Sequence, residues 1–170
     1  MRKLRRILIL VFALLILVLL NYQIYQKERL LSEGTMVLLE LAPRDPRSLM
    51  QGDYMVLRYQ IAQRQELRDT PVNDGYIVLE LDKNKIAYFK RLYDETIPLQ
   101  SNELILRFRK RDQVISFGAE SFFFQEGHAQ YYAQARYGEL RLAKNGESVL
   151  VGLRNTRFNR ITPLSEHGEL

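Results

Sequence analysis

Residues 139–153 read Glu-Leu-Arg-Leu-Ala-Lys-Asn-Gly-Glu-Ser-Val-Leu-Val-Gly-Leu. Two β-favouring runs, 139–143 and 148–153, flank Lys144-Asn145-Gly146-Glu147, where Asn-Gly can supply the positive φ angles of a type I′ turn. This is the strongest hairpin signal in the chain, and the same punctuation recurs upstream. Runs 76–81 and 86–93 flank Asp82-Lys83-Asn84-Lys85, a four-residue turn, and runs 103–109 and 114–117 flank another polar turn. An apolar run at 35–41 ends at Pro43 and Pro46, a polar loop follows over 42–52, and 54–61 is rich in residues that suit a pleated surface. Residues 63–74 read as a polar linker. About eight short strands at turn-punctuated intervals predict an antiparallel β-sandwich or partly closed β-barrel, not a helical bundle. The exception is 121–138, where Phe124, His128, Tyr131, Tyr132 and Ala135 recur at helical spacing and Gly138 could close a helix as its C′ residue. One short helix is expected there.

The N-terminus has a different character. Four basic residues lie within 1–6, every residue of 7–20 is apolar, and no charge appears between 7 and 26. Twenty uncharged residues at ~1.5 Å rise reach roughly 30 Å as a helix, the thickness of a bilayer core. A cleaved signal peptide is the competing reading, but cleavage needs small residues just after the apolar run, and Asn21-Tyr22-Gln23-Ile24-Tyr25-Gln26 stands there instead. The pattern favours an uncleaved signal anchor. Tyr22 and Tyr25 suit the lipid–water interface, and the basic residues before the run favour a cytoplasmic N-terminus. The expected organisation is a cytoplasmic basic segment (1–6), a transmembrane anchor (7–26), a linker (27–34) and one extracytoplasmic β domain (35–170).

Composition narrows the function classes. Of 25 Lys and Arg residues, four precede the apolar run, leaving 21 against 20 acidic residues, so the remainder carries only +1. A nucleic-acid-binding domain should keep a basic face after that subtraction, and none is expected here. The cluster 107–111, Arg-Phe-Arg-Lys-Arg, reads as a solvated strand end and turn. The chain has no Cys and two His, which excludes thiol nucleophiles and Cys-based metal sites and leaves little for a His-rich centre. No cofactor or metal is expected.

Residues 52–59 read Gly52-Asp53-Tyr54-Met55-Val56-Leu57-Arg58-Tyr59, a turn feeding a strand. Alternation assigns Asp53, Met55, Leu57, Tyr59 and Ile61 to one face and Tyr54, Val56 and Arg58 to the other. Leu57 and Tyr59 are expected in the core, with Asp53 stabilising the loop through hydrogen bonds to its N–H groups. Tyr54 and Arg58, both favoured at interfaces, are candidates for partner contact. A second candidate surface is the aromatic segment with Glu126, His128, Tyr131 and Tyr132; core packing under a helix is the plainer reading of its rings.

These residues match G-D-Y-x-x-L-x-Y at every fixed position, and the chain resembles the bacterial family of membrane-anchored proteins named for that motif. The approach Pro43-Arg44-Asp45-Pro46-Arg47 and the downstream Phe117-Gly118-Ala119-Glu120-Ser121-Phe122 with Glu126-Gly127 also resemble the family pattern. The resemblance implies a single-pass protein of the bacterial inner membrane with a periplasmic domain. It implies little about activity. Because family members are often encoded beside multi-pass membrane proteins, it also suggests an integral membrane protein as partner. Oligomeric state stays open.

An enzyme reading remains as an alternative. The layout of anchor, β domain, Gly-Asp-Tyr and later Tyr88-Phe89-Lys90-Arg91 is similar to that of type I signal peptidases, which use a Ser nucleophile with a Lys base. That family's Ser-Met pair is replaced here by Arg44-Asp45, leaving Ser48 as the only nearby nucleophile. Alternation places Lys90 with Ile86, Tyr88 and Leu92, an apolar face on which an amine could lose proton affinity and serve as the base. A small-ligand-binding β domain is the third reading.

Overall fold

A computed structural model describes residues 2–43 and 54–163; Ser48, Gly52 and Asp53 lie outside the described residues. Helix α1 (Arg2–Glu33) is followed, after Gly34 alone, by strand β1 (Thr35–Glu40). Residues 5–33 are long and apolar enough to cross a membrane, and the apolar side chains from Ile7 to Leu20 are exposed. The helix continues through 27–33, where a linker is expected from the sequence. Lys, Glu, Arg and Leu are good helix formers, and Arg29 pairs with Glu33 across one turn at 2.8 Å. The last turn is tied to the β domain. Leu30 is buried, the Gly34 N–H donates to the Leu30 carbonyl, and Arg141 Nη1 donates to the Gly34 carbonyl at 3.0 Å.

The remaining strands are β2 (Tyr54–Val56), β3 (Asp74–Leu81), β4 (Ala87–Leu92), β5 (Glu103–Arg111), β6 (Val114–Ser116), β7 (Ser121–Phe123), β8 (Tyr137–Leu142) and β9 (Ser148–Arg154). They form antiparallel sheets in the orders β4-β3-β5-β6, β1-β8-β9 and β2-β7. A parallel bridge, Leu38 with Ile86, joins β1 to the start of β4, and the Arg107 N–H on β5 donates to the Gly146 carbonyl at the tip of the β8–β9 hairpin. The two larger sheets therefore curl into a partly closed barrel, as the spacing of turns predicts. Its interior is packed with Val37, Leu39, Ile77, Leu79, Leu106, Phe108, Leu140 and Leu153. Leu38 and Val78, which lie between these positions on β1 and β3, are buried as well, so the outer face of the sheets is also covered there.

Several local expectations change. Strand β2 stops at Val56, and the chain becomes a 3₁₀ turn at Gln60–Gln63 followed by α2 (Gln65–Asp69), so the polar linker holds a helix that plants Leu67 in the core. The helix expected over 121–138 reduces to α3 (Ala129–Tyr132); its first residues form β7, and Gly138 lies within β8. The 143–147 turn is not type I′. Only Gly146 has positive φ (+84°), while the Gly146 N–H donates to the Ala143 carbonyl and the Ala143 N–H to the Glu147 carbonyl. This is a three-residue loop with glycine in the left-handed position.

Two charged groups are buried in the sheets. Glu139 on β8 meets Arg154 on β9 at 2.8 Å, and Glu103 on β5 receives Lys90 at 2.9 Å and Arg91 at 3.2 Å from β4. Removing one partner from such a pair leaves a charge in a poorly solvated place.

Candidate functional site

The sequence motif divides between packing and surface. Met55, Leu57, Tyr59 and Ile61 are buried, whereas Tyr54, Val56 and Arg58 are exposed, as alternation predicts. Tyr59 sits where three parts of the chain meet. Its backbone bridges to Leu41 and its ring lies against Gly138, where a Cβ would come within 3.0 Å of the ring edge. Its hydroxyl donates to the Ala119 carbonyl. That carbonyl is held by the turn 116–120, in which the Glu120 carboxylate accepts from the Phe117 N–H and from the Ser116 hydroxyl. Burial pushes the Tyr59 phenol far above its ordinary pKa, with the Glu120 charge adding to the effect. It is a neutral structural donor.

Two of the sequence segments that carry the resemblance, 54–59 and 117–122, are thus neighbours in space. The Leu57 N–H donates to the Glu120 carbonyl, and Tyr54, Met55 and Val56 pair with Phe123, Phe122 and Ser121. On the inner side of this β2–β7 ribbon, Phe122 packs with Phe124 and Tyr132 at ring-centroid distances of 6.5 and 4.8 Å. On the outer side, the Tyr54 and Phe123 rings meet at 5.8 Å. Tyr54 is 38% exposed, Val56 57% and Phe123 73%, so an aromatic and aliphatic patch faces solvent directly beside the motif.

The second group of candidates separates. Tyr132 is buried in the core and offers no partner surface. Glu126 is exposed, and the half-buried His128 and Tyr131 pack edge-to-face at 5.6 Å. Phe123 is the residue that the sequence reading missed. Its signal was the alternation Ser121-Phe122-Phe123, masked by the helical spacing of the rings that follow.

Lys90 does not have the surroundings of a general base. Its ammonium lies 2.9 Å from Glu103 and 3.4 Å from Glu80, and the hydrogen bond to Glu103 raises its pKa. The expectation that an apolar face would depress it is wrong, because the carboxylates of Glu80 on β3 and Glu103 on β5, the next strand beyond, reach it across the sheet. Ser48 lies outside the described residues. Among the described residues, no group of three or more His, Cys, Asp or Glu could hold a metal ion.

The surface recesses of the described residues include two with charged side chains in their lining. One of about 370 Å³ lies between the 3₁₀ turn and β4 and is lined by Glu40, Gln60, Gln63, Arg64 and Tyr88. Another, of about 190 Å³, is lined by Lys27 of α1, Arg107 and Arg109 of β5, Ser116, Gly118 and Glu147.

Comparison with protein families gives a match of residues 16–153 to the family model described as GDYXXLXY protein. No curated protein and no solved structure matches the chain. The family match begins within α1 and ends in β9, so it takes in the second half of the apolar helix together with most of the β domain.

Proposed function

The chain belongs to the GDYXXLXY protein family, and from that premise we propose that it is a membrane-anchored binding module whose β2–β7 face engages an integral membrane protein. In this reading α1 is a single-pass anchor in a bacterial inner membrane, with residues 1–6 cytoplasmic and the β domain periplasmic. The observation that carries it is the exposed Tyr54–Val56–Phe123 patch on a ribbon whose other face is packed into the core. Fully burying a Val or Phe side chain is worth ~1.5–3 kcal/mol. Tyr54 adds an aromatic anchor of the kind that dominates interface energetics.

The geometry of the anchor supports a partner in the same membrane. Because α1 passes into β1 through Gly34 alone, the domain has no flexible tether. The seven residues after Gln26 advance it only ~10 Å, and a domain of this size is roughly 35–40 Å across. A partner must therefore present its surface near the membrane. Confinement to one bilayer also raises the effective concentration of such a partner without any added contact.

The test is substitution of the patch in the full-length protein. Val56→Asp with Phe123→Asp should abolish association with the partner while the melting temperature stays close to wild type. If every membrane protein that copurifies with the wild type also copurifies with this variant, the β2–β7 face is not the binding surface.

A further inference from the structure

The membrane-proximal edge of the domain carries a cationic recess that neither the motif nor the β2–β7 patch explains. Lys27 is the first charged residue after the uncharged segment 7–26. The recess is also lined by Arg107 and Arg109 from β5, by Ser116 at the end of β6 and by Gly118 just after it. The arrangement is held in place. The Arg107 N–H is bonded to the Gly146 carbonyl of the β8–β9 tip, and that hairpin is in turn pinned to α1 through Arg141 and Gly34.

We propose that this recess binds the phosphate of an anionic phospholipid headgroup. The proposal rests on α1 spanning the bilayer, since only then does Lys27 lie at headgroup depth. Lys27, Arg107 and Arg109 all line the recess, and arginine guanidinium groups suit phosphate oxygens geometrically. The acidic groups nearby are Glu147, which lines the recess, and Asp74, which lies 3.6 Å from Arg107 and 3.4 Å from Arg109. Asp74 aligns the two arginines but is itself well exposed, as they are, so the pairing is screened by water and yields readily to a stronger anion. At the bilayer surface the negative potential of anionic lipids favours such a cluster.

The experiment uses the full-length protein in detergent, titrated with phosphatidylglycerol or phosphatidylcholine and examined by native mass spectrometry. The wild type should prefer phosphatidylglycerol on the order of tenfold. Arg107→Gln with Arg109→Gln should bring the ratio to about one, and Asp74→Asn should raise it. A wild-type ratio within about twofold of one, or a preference that the double variant leaves intact, overturns the proposal. Inorganic phosphate added to protein in phosphatidylcholine nanodiscs separates the two sources of the same anion: stabilisation equal to that given by phosphatidylglycerol overturns the assignment to lipid. Carbonate extraction reports on the anchor separately. Protein released from membranes by carbonate refutes both the anchor and the headgroup site, whereas protein that stays inserted but shows no headgroup preference refutes only the latter.

Discussion

Replacing Tyr59 by Phe should destabilise the protein through a single hydroxyl. The side chain is 1% exposed, and its hydroxyl donates to the Ala119 carbonyl, inside the turn that Glu120 organises. Removing the donor leaves that carbonyl without it in a place that water does not readily reach, at a cost of ~1–3 kcal/mol. The ring stays, so little cavity is created. For a chain of this size each kcal/mol lowers the melting temperature by roughly 2–4 °C, which gives a drop of roughly 2–12 °C. Tyr59→Ala empties the space beside Gly138 as well and should cost ~3–5 kcal/mol. Thermal unfolding of the full-length protein in mild detergent, followed by circular dichroism, measures both. The alkaline limb gives a second readout. Because the phenol's folded pKa is raised above its unfolded value near 10, its stabilisation is complete below pH 10 and declines as the unfolded chain ionises above it, by ~1.4 kcal/mol per pH unit. Tyr59→Phe should therefore lose stability less steeply than wild type above pH 10. A melting temperature unchanged within about 1 °C, together with an unchanged alkaline slope, would refute the placement of Tyr59 as a buried donor.

Further outcomes follow from the same geometry. Gly138→Ala sets a Cβ 3.0 Å from the Tyr59 ring edge and 3.2 Å from its hydroxyl, so it should cost ~1–3 kcal/mol in thermal unfolding through overpacking. Gly146→Ala meets both a φ of +84° and the Tyr76 ring at 2.9 Å; a loss of at least ~1 kcal/mol is expected, and a neutral result would mean that the hairpin tip relaxes. Glu103→Gln should lower the melting temperature at neutral pH. The Lys90 hydrogen bond depresses the Glu103 pKa below the ordinary glutamate value, so the native stabilisation is present above that ordinary value and fades as pH falls through the depressed one, and the gap between wild type and variant should close in acid. Val56→Ser with Phe123→Ser should leave unfolding within ~0.5 kcal/mol of wild type for each site, because both side chains are exposed.

The strands were legible because their signal is local. Alternation from Met55 to Ile61 sorted buried from exposed side chains correctly even though β2 itself stops at Val56. The failures occur where long-range pairing decides. Phe122, Phe123 and Phe124 satisfy a helical spacing with Tyr131 and Tyr132 as well as a strand alternation, and the tie is broken by β2, some 65 residues upstream in sequence. The exposure of Phe123, one of the three residues of the candidate surface, was hidden by that choice. Lys90 was misread for the same reason, since Glu80 and Glu103 reach it from β3 and β5. The cationic recess needs residues 80 positions apart, Lys27 and Arg107, and charge counting along the chain does not bring them together. At 27–33 the charged residues suggested a connector, yet each is a good helix former and the helix simply propagates.

The central claim is that the β2–β7 face binds a protein in the same membrane. The chain contains no cysteine, so Tyr54→Cys provides a unique thiol for crosslinking in native membranes. Tyr88→Cys on β4, at a residue 52% exposed and outside that ribbon, serves as the control. The account predicts one discrete adduct with an integral membrane protein from position 54, lost when Phe123→Asp is added, and none from position 88. Folded, membrane-inserted protein that gives no adduct from position 54, or the same adducts from both positions, would contradict it.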